Sequence, residues 1–156
     1  MERKQLPEDF KDFINCLNSN NVKYLLLGGW AVGIHGHPRS TKDIDFLIFM
    51  DDNNLENLQK ALNDFGAPHF EIDHLKVKGN GIKIGVTPIA IDIINDASGI
   101  NIEDCYSRRE IKTVENIEIS VISKADLIIN KIASGREQDL ADVKKLEYNK
   151  NKRRDS

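Results

Sequence analysis

Asp43 and Asp45 stand one residue apart in Asp43-Ile44-Asp45-Phe46-Leu47-Ile48-Phe49, a segment whose β-branched and aromatic content predicts a strand. Side chains alternate across a strand, so both carboxylates project from one face about 6 to 7 Å apart, while Ile44, Phe46 and Ile48 turn to the core. Like charges at that spacing repel and need a cation or a set of donors to neutralise them. Mg²⁺ is an oxygen-seeking ion held by one or two carboxylates together with substrate phosphates, so the chemistry that suits this pair is a reaction on a nucleotide. An isolated Asp-x-Asp is also a common pair at a strand edge, and only its neighbours distinguish the two readings.

Two neighbours bear on it. Gly28-Gly29 follows the apolar run Val22-Lys23-Tyr24-Leu25-Leu26-Leu27 and precedes Trp30-Ala31-Val32-Gly33-Ile34-His35-Gly36, where apolar residues recur at helical spacing. A turn without side chains that enters a helix lets backbone amides approach a phosphate; a merely tight strand-to-helix turn explains the pair equally well. The second neighbour is Asp92, which interrupts the strand pattern Pro88-Ile89-Ala90-Ile91-Asp92-Ile93-Ile94 and is expensive to bury unpaired. If that strand lies beside the Asp43 and Asp45 strand, three carboxylates converge. Asp96 is the alternative third acid, at the strand's end, where a turn or cap role competes.

Gly28-Gly29, Asp43-x-Asp45 and a lone strand acid at Asp92 resemble the nucleotidyltransferase superfamily of the DNA polymerase β type. The longer string, with Trp30-Ala31-Val32, Gly36, Arg39 and Thr41, resembles small bacterial members. These include the lincosamide and aminoglycoside adenylyltransferases and the abortive-infection and toxin-antitoxin nucleotidyltransferases. Lys131, Gly135-Arg136 and Asp139-Leu140-Ala141-Asp142-Val143 resemble the latter group, so the likeness runs from about Tyr24 to Leu146.

The resemblance implies transfer of a nucleoside monophosphate from a nucleoside triphosphate such as ATP to an acceptor hydroxyl or RNA end, with release of pyrophosphate. It implies two Mg²⁺ or Mn²⁺ ions, with Asp43 and Asp45 bridging both and Asp92 completing the ion that activates the acceptor. Gly28 and Gly29 would seat the triphosphate, and Lys131 would contact it with Arg136 and Asp139 nearby. The alternative for this last group is an ion pair of Asp139 with Lys131 or Arg136 that locks two helices together. Arg39 and Thr41 either order their loop, touch phosphate or decorate the surface.

The elements that must position these residues are readable in outline. Phe10, Phe13, Ile14 and Leu17 fall at helical spacing and predict a helix from Pro7 to about Leu17. Leu55, Leu58, Leu62 and Phe65 predict a helix over Asp52 to Phe65, stopped by Gly66 and Pro68. Ile111 to Ile122 predicts one strand carrying Val114, Ile117, Ile119 and Val121. Ser123 caps a helix with Leu127, Ile128 and Ile132, Gly135 ends it, and Leu140, Val143 and Leu146 line a final helix. The expectation is an α/β (α+β) domain: a mixed central sheet flanked by helices, a helical carboxy-terminal third, and the acids at one edge of a cleft.

Composition bounds the rest. A chain of 156 residues with 40% hydrophobic and 30% charged residues and a net charge of -3 reads as one globular domain over residues 1–150, followed by a basic, disordered tail at 151–156. It does not read as a strong polyanion binder. Lys144, Lys145, Lys150, Lys152, Arg153 and Arg154 form a basic end without interleaved aromatics, better explained as a solvated charge run than as an RNA surface. Cys16 and Cys105 make neither a disulfide framework nor a zinc motif, and His35 and His37 lack a third ligand at zinc spacing. Without a signal peptide or spanning run, the expected location is cytoplasmic.

The acceptor stays open among a tRNA end, a protein hydroxyl and a small antibiotic-like alcohol, and its site is expected at a homodimer interface or on a partner protein. A toxin-antitoxin or phage-defence role is one setting. The rival readings are a non-catalytic regulator or antitoxin-like binding module, and a phosphohydrolase using the same metal site.

Overall fold

The computed structural model describes residues 6–37, 43–67 and 69–155, with side chains through residue 147. Helix α1 (Glu8–Ser19) buries Phe10, Phe13, Ile14 and Leu17, the stripe that its spacing predicts. Strand β1 (Tyr24–Leu27) is buried along its whole length, as a strand covered on both faces must be. Helix α2 (Gly28–Ile34) follows without a loop. Strand β2 (Ile44–Ile48) buries Ile44, Phe46, Leu47 and Ile48 and leaves Asp45 partly exposed. Helix α3 (Asp52–Phe65) is capped by the Asp51 carboxylate, which accepts from the Asn54 N–H, and ends on Gly66 at φ 97°.

A short 3-10 helix (Ile72–Lys76), strands β3 (Gly81–Ile84) and β4 (Ile91–Ile94), helix α4 (Ile102–Ser107), strands β5 (Glu110–Val114) and β6 (Ile117–Val121), and helices α5 (Lys124–Ser134) and α6 (Glu137–Asp155) follow among the described residues. The six strands of the described residues form one sheet in the order β3-β4-β2-β1-β6-β5. Strand β2 pairs antiparallel with β1 and parallel with β4, so the sheet is mixed. Helices α1 and α3 share an aromatic seam with it: the Phe13 ring lies 5.5 Å from Phe46 and 5.2 Å from Phe65. The buried amide of Asn54 accepts from the Lys23 N–H and donates to the carbonyls of Lys23 and Phe49, tying the start of β1 to the end of β2.

Several expectations are corrected. The strand predicted from Ile111 to Ile122 is a hairpin: Glu115 and Asn116 take φ 51° and 69° and turn the chain between β5 and β6, the left-handed pair that a two-residue hairpin requires. The strand expected from Pro88 begins only at Ile91, because Val86 to Ile89 closes a turn through the Ile89 N–H to Val86 carbonyl bond. Strand β3 and helix α4 lie in stretches without clear periodicity.

Of the apolar residues expected to line the last two helices, Leu127, Val143 and Leu146 are buried, but Ile132 and Leu140 are 54% and 45% exposed, while Lys131, Asp139 and Asp142 are inside. Polar residues can hold that inner face because they neutralise one another. The backbone of α6 is helical from Glu137 to Asp155.

Candidate active site

Strand register assembles the acids. Parallel pairing of β2 with β4 sets Asp45 directly opposite Asp92, and antiparallel pairing of β4 with β3 sets Asp92 opposite Lys83. On the other side, Asp45 is opposite Leu27, the last residue before Gly28. Gly28 has φ 67°, and a Cβ there would collide with Asp45 Oδ2. A side chain at position 28 is therefore excluded twice, by backbone conformation and by the carboxylate. The chain needs glycine at the strand-to-helix junction in order to bring backbone up to an acid.

Asp43 precedes β2 and is fixed by the turn between β3 and β4. Its Oδ1 accepts from the Ala90 N–H at 2.9 Å, and its Oδ2 accepts from the Thr87 hydroxyl at 2.8 Å and from Lys83 Nζ at 3.4 Å. Burial works to raise this carboxyl, but the Ala90, Thr87 and Lys83 donors outweigh it and hold Asp43 below the usual carboxylate range.

The other two acids shift the opposite way. Burial, the charges of Asp92 and Asp43, and a hydrogen bond to Asp92 push Asp45 up to about 6, against an opposing pull from Lys131. Asp92 is also raised, chiefly by burial, with Lys83 opposing. Ionisation of Asp45 is thus disfavoured by burial and by the two neighbouring carboxylates, in spite of the charge of Lys131.

Among the described residues, no three His, Cys, Asp or Glu side chains are drawn together as a ready-made metal cage. The donor set nevertheless suits a hard cation: all three groups are oxygen ligands. Two of them, Asp45 and Asp92, face each other across paired strands and are both raised, first by burial, a cost that a bound cation would relieve. The third is swung toward Lys83 and Thr87.

Lys131 is buried in an ion-pair network: Nζ lies 3.3 Å from Asp139 Oδ1 and 3.1 Å from Asp142 Oδ2. Arg136 completes it, with Nε 2.7 Å from Asp139 Oδ2 and Nη2 3.2 Å from Oδ1. Burial raises Asp139, but the bonds from Arg136 and Lys131 prevail and hold it down at about 2. The network ties α5 to α6, the locking arrangement weighed above, and the charges of Lys131 and Arg136 also act on Asp45.

Other candidates lie apart. Asp96 pairs with Lys78 at 3.9 Å beyond the end of β4. His35 Nε2 donates to the Ile122 carbonyl at 2.8 Å. His37 is held below its usual pKa first by burial and then by Lys124, Lys145 and His35. The thiols of Cys16 and Cys105 are unpaired with each other and pushed up by burial. Arg39 and Thr41 fall outside the described residues. Lys83 and Thr87 were not anticipated; the alternation Ile82-Lys83-Ile84, which puts a cation on the open face, is the signal that could have found Lys83.

The model of a family described as a nucleotidyltransferase of unknown function (DUF6036) matches residues 4–151. The fold is similar to that of the lincosamide antibiotic adenylyltransferase LnuA, solved with lincomycin bound, at TM-score 0.58 and 18% identity over 92% of this chain and 98% of that one. It is similar to an antigenic nucleotidyltransferase-like protein from Paracoccidioides brasiliensis at TM-score 0.55 and 19% identity, over 92% of this chain and 78% of that one. Among curated proteins, none matches the sequence.

Proposed function

We propose that this chain, which belongs to the DUF6036 family of nucleotidyltransferases, moves a nucleoside monophosphate from a nucleoside triphosphate to an acceptor hydroxyl in a divalent-metal-dependent reaction. The observation that carries the reading is the direct opposition of Asp45 and Asp92, with Asp43 anchored beside them and Gly28 against Asp45. Asp43, Asp45 and Asp92 are the residues that would hold Mg²⁺ or Mn²⁺. Bound there, the ions supply the charge neutralisation that displacement between phosphate groups needs.

The chain's own groups do the rest. The backbone at Gly28 and Gly29 seats the triphosphate where no side chain intervenes. Asp92 takes the proton from the acceptor hydroxyl as its oxygen bonds to the α-phosphorus, the bond to the β-phosphate oxygen breaks, and pyrophosphate leaves. Lys131 acts on this centre through its charge, from within its pairs with Asp139 and Asp142.

The adenylyltransferase likeness favours ATP as donor and a small alcohol as acceptor; an RNA end in a toxin-antitoxin or phage-defence setting, or an acceptor site completed by a second copy or a partner protein, fits the same centre. Among the described residues no helix is long and apolar enough to cross a membrane.

The test is incubation of the purified protein with Mg²⁺, each labelled triphosphate, and candidate alcohols, total RNA or total protein, read by mass spectrometry. Label transfer abolished by Asp43→Asn supports the reading. Nucleotide binding without transfer under any metal supports the non-catalytic module, and release of free phosphate without a labelled acceptor supports hydrolysis.

A further inference from the structure

We propose that Lys83 is a positioning residue of the acid cluster: its ammonium holds the place of a cation between Asp43 and Asp92 and gives it up when a divalent ion enters. This inference rests on the reading of Asp43, Asp45 and Asp92 as metal ligands.

The row Asp45, Asp92, Lys83 runs across three adjacent strands, because each is the registered partner of the next. Residues in register on neighbouring strands present side chains to the same face. Lys83 Nζ lies 3.4 Å from Asp43 Oδ2, 4.0 Å from Asp92 Oδ1 and 3.1 Å from Thr87 Oγ1. One ammonium thus reaches two of the three acids and the hydroxyl that anchors the first.

The cations around this cluster differ in how firmly they are held. Lys131 is 5% exposed and clamped between Asp139 and Asp142, so moving it would break two buried ion pairs at once. Lys83 is 50% exposed, and an ion pair so open to water is weak and easily exchanged. A doubly charged ion competing for the same oxygens displaces the ammonium at little cost. In the metal-free protein the same ammonium limits repulsion between Asp43 and Asp92, and so keeps both carboxylates directed at one place.

The experiment uses the full chain without nucleotide. Lysines are acetylated briefly with an amine-reactive ester, with and without saturating Mn²⁺, and Lys83 is quantified by mass spectrometry against Lys60, an exposed lysine of α3. In parallel, Mn²⁺ affinity is measured by electron paramagnetic resonance for wild type, Lys83→Gln and Lys83→Arg. The expected result is labelling of Lys83 several-fold faster with Mn²⁺ while Lys60 is unchanged, with Lys83→Gln binding Mn²⁺ at least fivefold more tightly and Lys83→Arg close to wild type. If Mn²⁺ binds but the labelling of Lys83 does not change, or Lys83→Gln binds no more tightly, the inference fails and the metal reading survives. If neither wild type nor Lys83→Gln binds Mn²⁺, the metal reading fails and takes the inference with it.

Discussion

The backbone of Gly28 abuts the carboxylate of Asp45 so closely that a Cβ on Gly28 would overlap Asp45 Oδ2. The strand-to-helix turn and the acid pair are therefore one construction, since pairing of Leu27 with Asp45 brings them together. Gly28→Ala is expected to destabilise the fold by about 1 to 3 kcal/mol, from the positive φ and the clash. It should also abolish nucleotidyl transfer. Chemical denaturation and label transfer measure the two effects; a stable, fully active variant would show that the close approach is irrelevant.

Asp92→Asn and Asp96→Asn separate the two candidate acids. Asp92 faces Asp45 across the β2 and β4 pair, while Asp96 pairs with exposed Lys78. The first substitution should lower transfer by at least about a hundredfold and the second should leave it near wild type. Equal effects would dissociate the reaction from this row of side chains.

Stability should carry the signature of the strained carboxylates. Burial, Asp92 and Asp43 raise Asp45 from 3.8 to about 6. A folded-state pKa above the unfolded one favours the fold below the unfolded value, and that contribution disappears as pH rises through about 6. The size is on the order of 2 to 3 kcal/mol. Without metal, Asp45→Asn should therefore gain stability relative to wild type between pH 4 and pH 7, and Mg²⁺ should narrow that gap. Denaturation curves at each pH, with and without Mg²⁺, give the comparison.

Thr87→Val tests the anchor of Asp43, which would keep the Ala90 N–H and Lys83 but lose the 2.8 Å hydroxyl. Loss of one hydrogen bond to a charged group is expected to cost about 1.5 kcal/mol of positioning and roughly tenfold in turnover. The thermal midpoint should change little. Unaltered turnover would mean that Ala90 and Lys83 suffice.

Asp139→Asn removes the carboxylate that Lys131 and Arg136 share. Because Asp142 still pairs with Lys131, the loss should be about 2 to 3 kcal/mol, less than for a buried charge left fully uncompensated. Asp139 is held at about 2, so its contribution is present above its unfolded value of 3.8 and fades as pH falls toward 2. Urea unfolding of wild type and variant should differ at pH 7 and converge near pH 2; a gap independent of pH would point to lost packing.

Much of the scaffold was legible because its signals are local. The spacing of Phe10, Phe13, Ile14 and Leu17, and of Leu55, Leu58 and Leu62, reports which side of a helix is buried. The β5 and β6 hairpin was not legible, since Glu115-Asn116 is a weak turn signal inside an apolar alternation. In α5 and α6, Leu127, Val143 and Leu146 are buried as their spacing predicts, but Ile132 and Leu140 are exposed, because a self-neutralising group around Lys131 occupies part of the inner face.

From residue types and short spacings alone, the chain declares paired aspartates on a strand, a glycine junction after a buried strand, and a lone acid in another strand. Those features depend on neighbours within a turn or two. Which acids meet was settled by strand order: β4 lies against β2 rather than elsewhere in the sheet, so Asp92 faces Asp45 and Lys83 reaches them. That pairing joins residues more than 40 positions apart, and it is fixed by how the whole sheet buries its apolar faces, a property no local stretch of sequence carries.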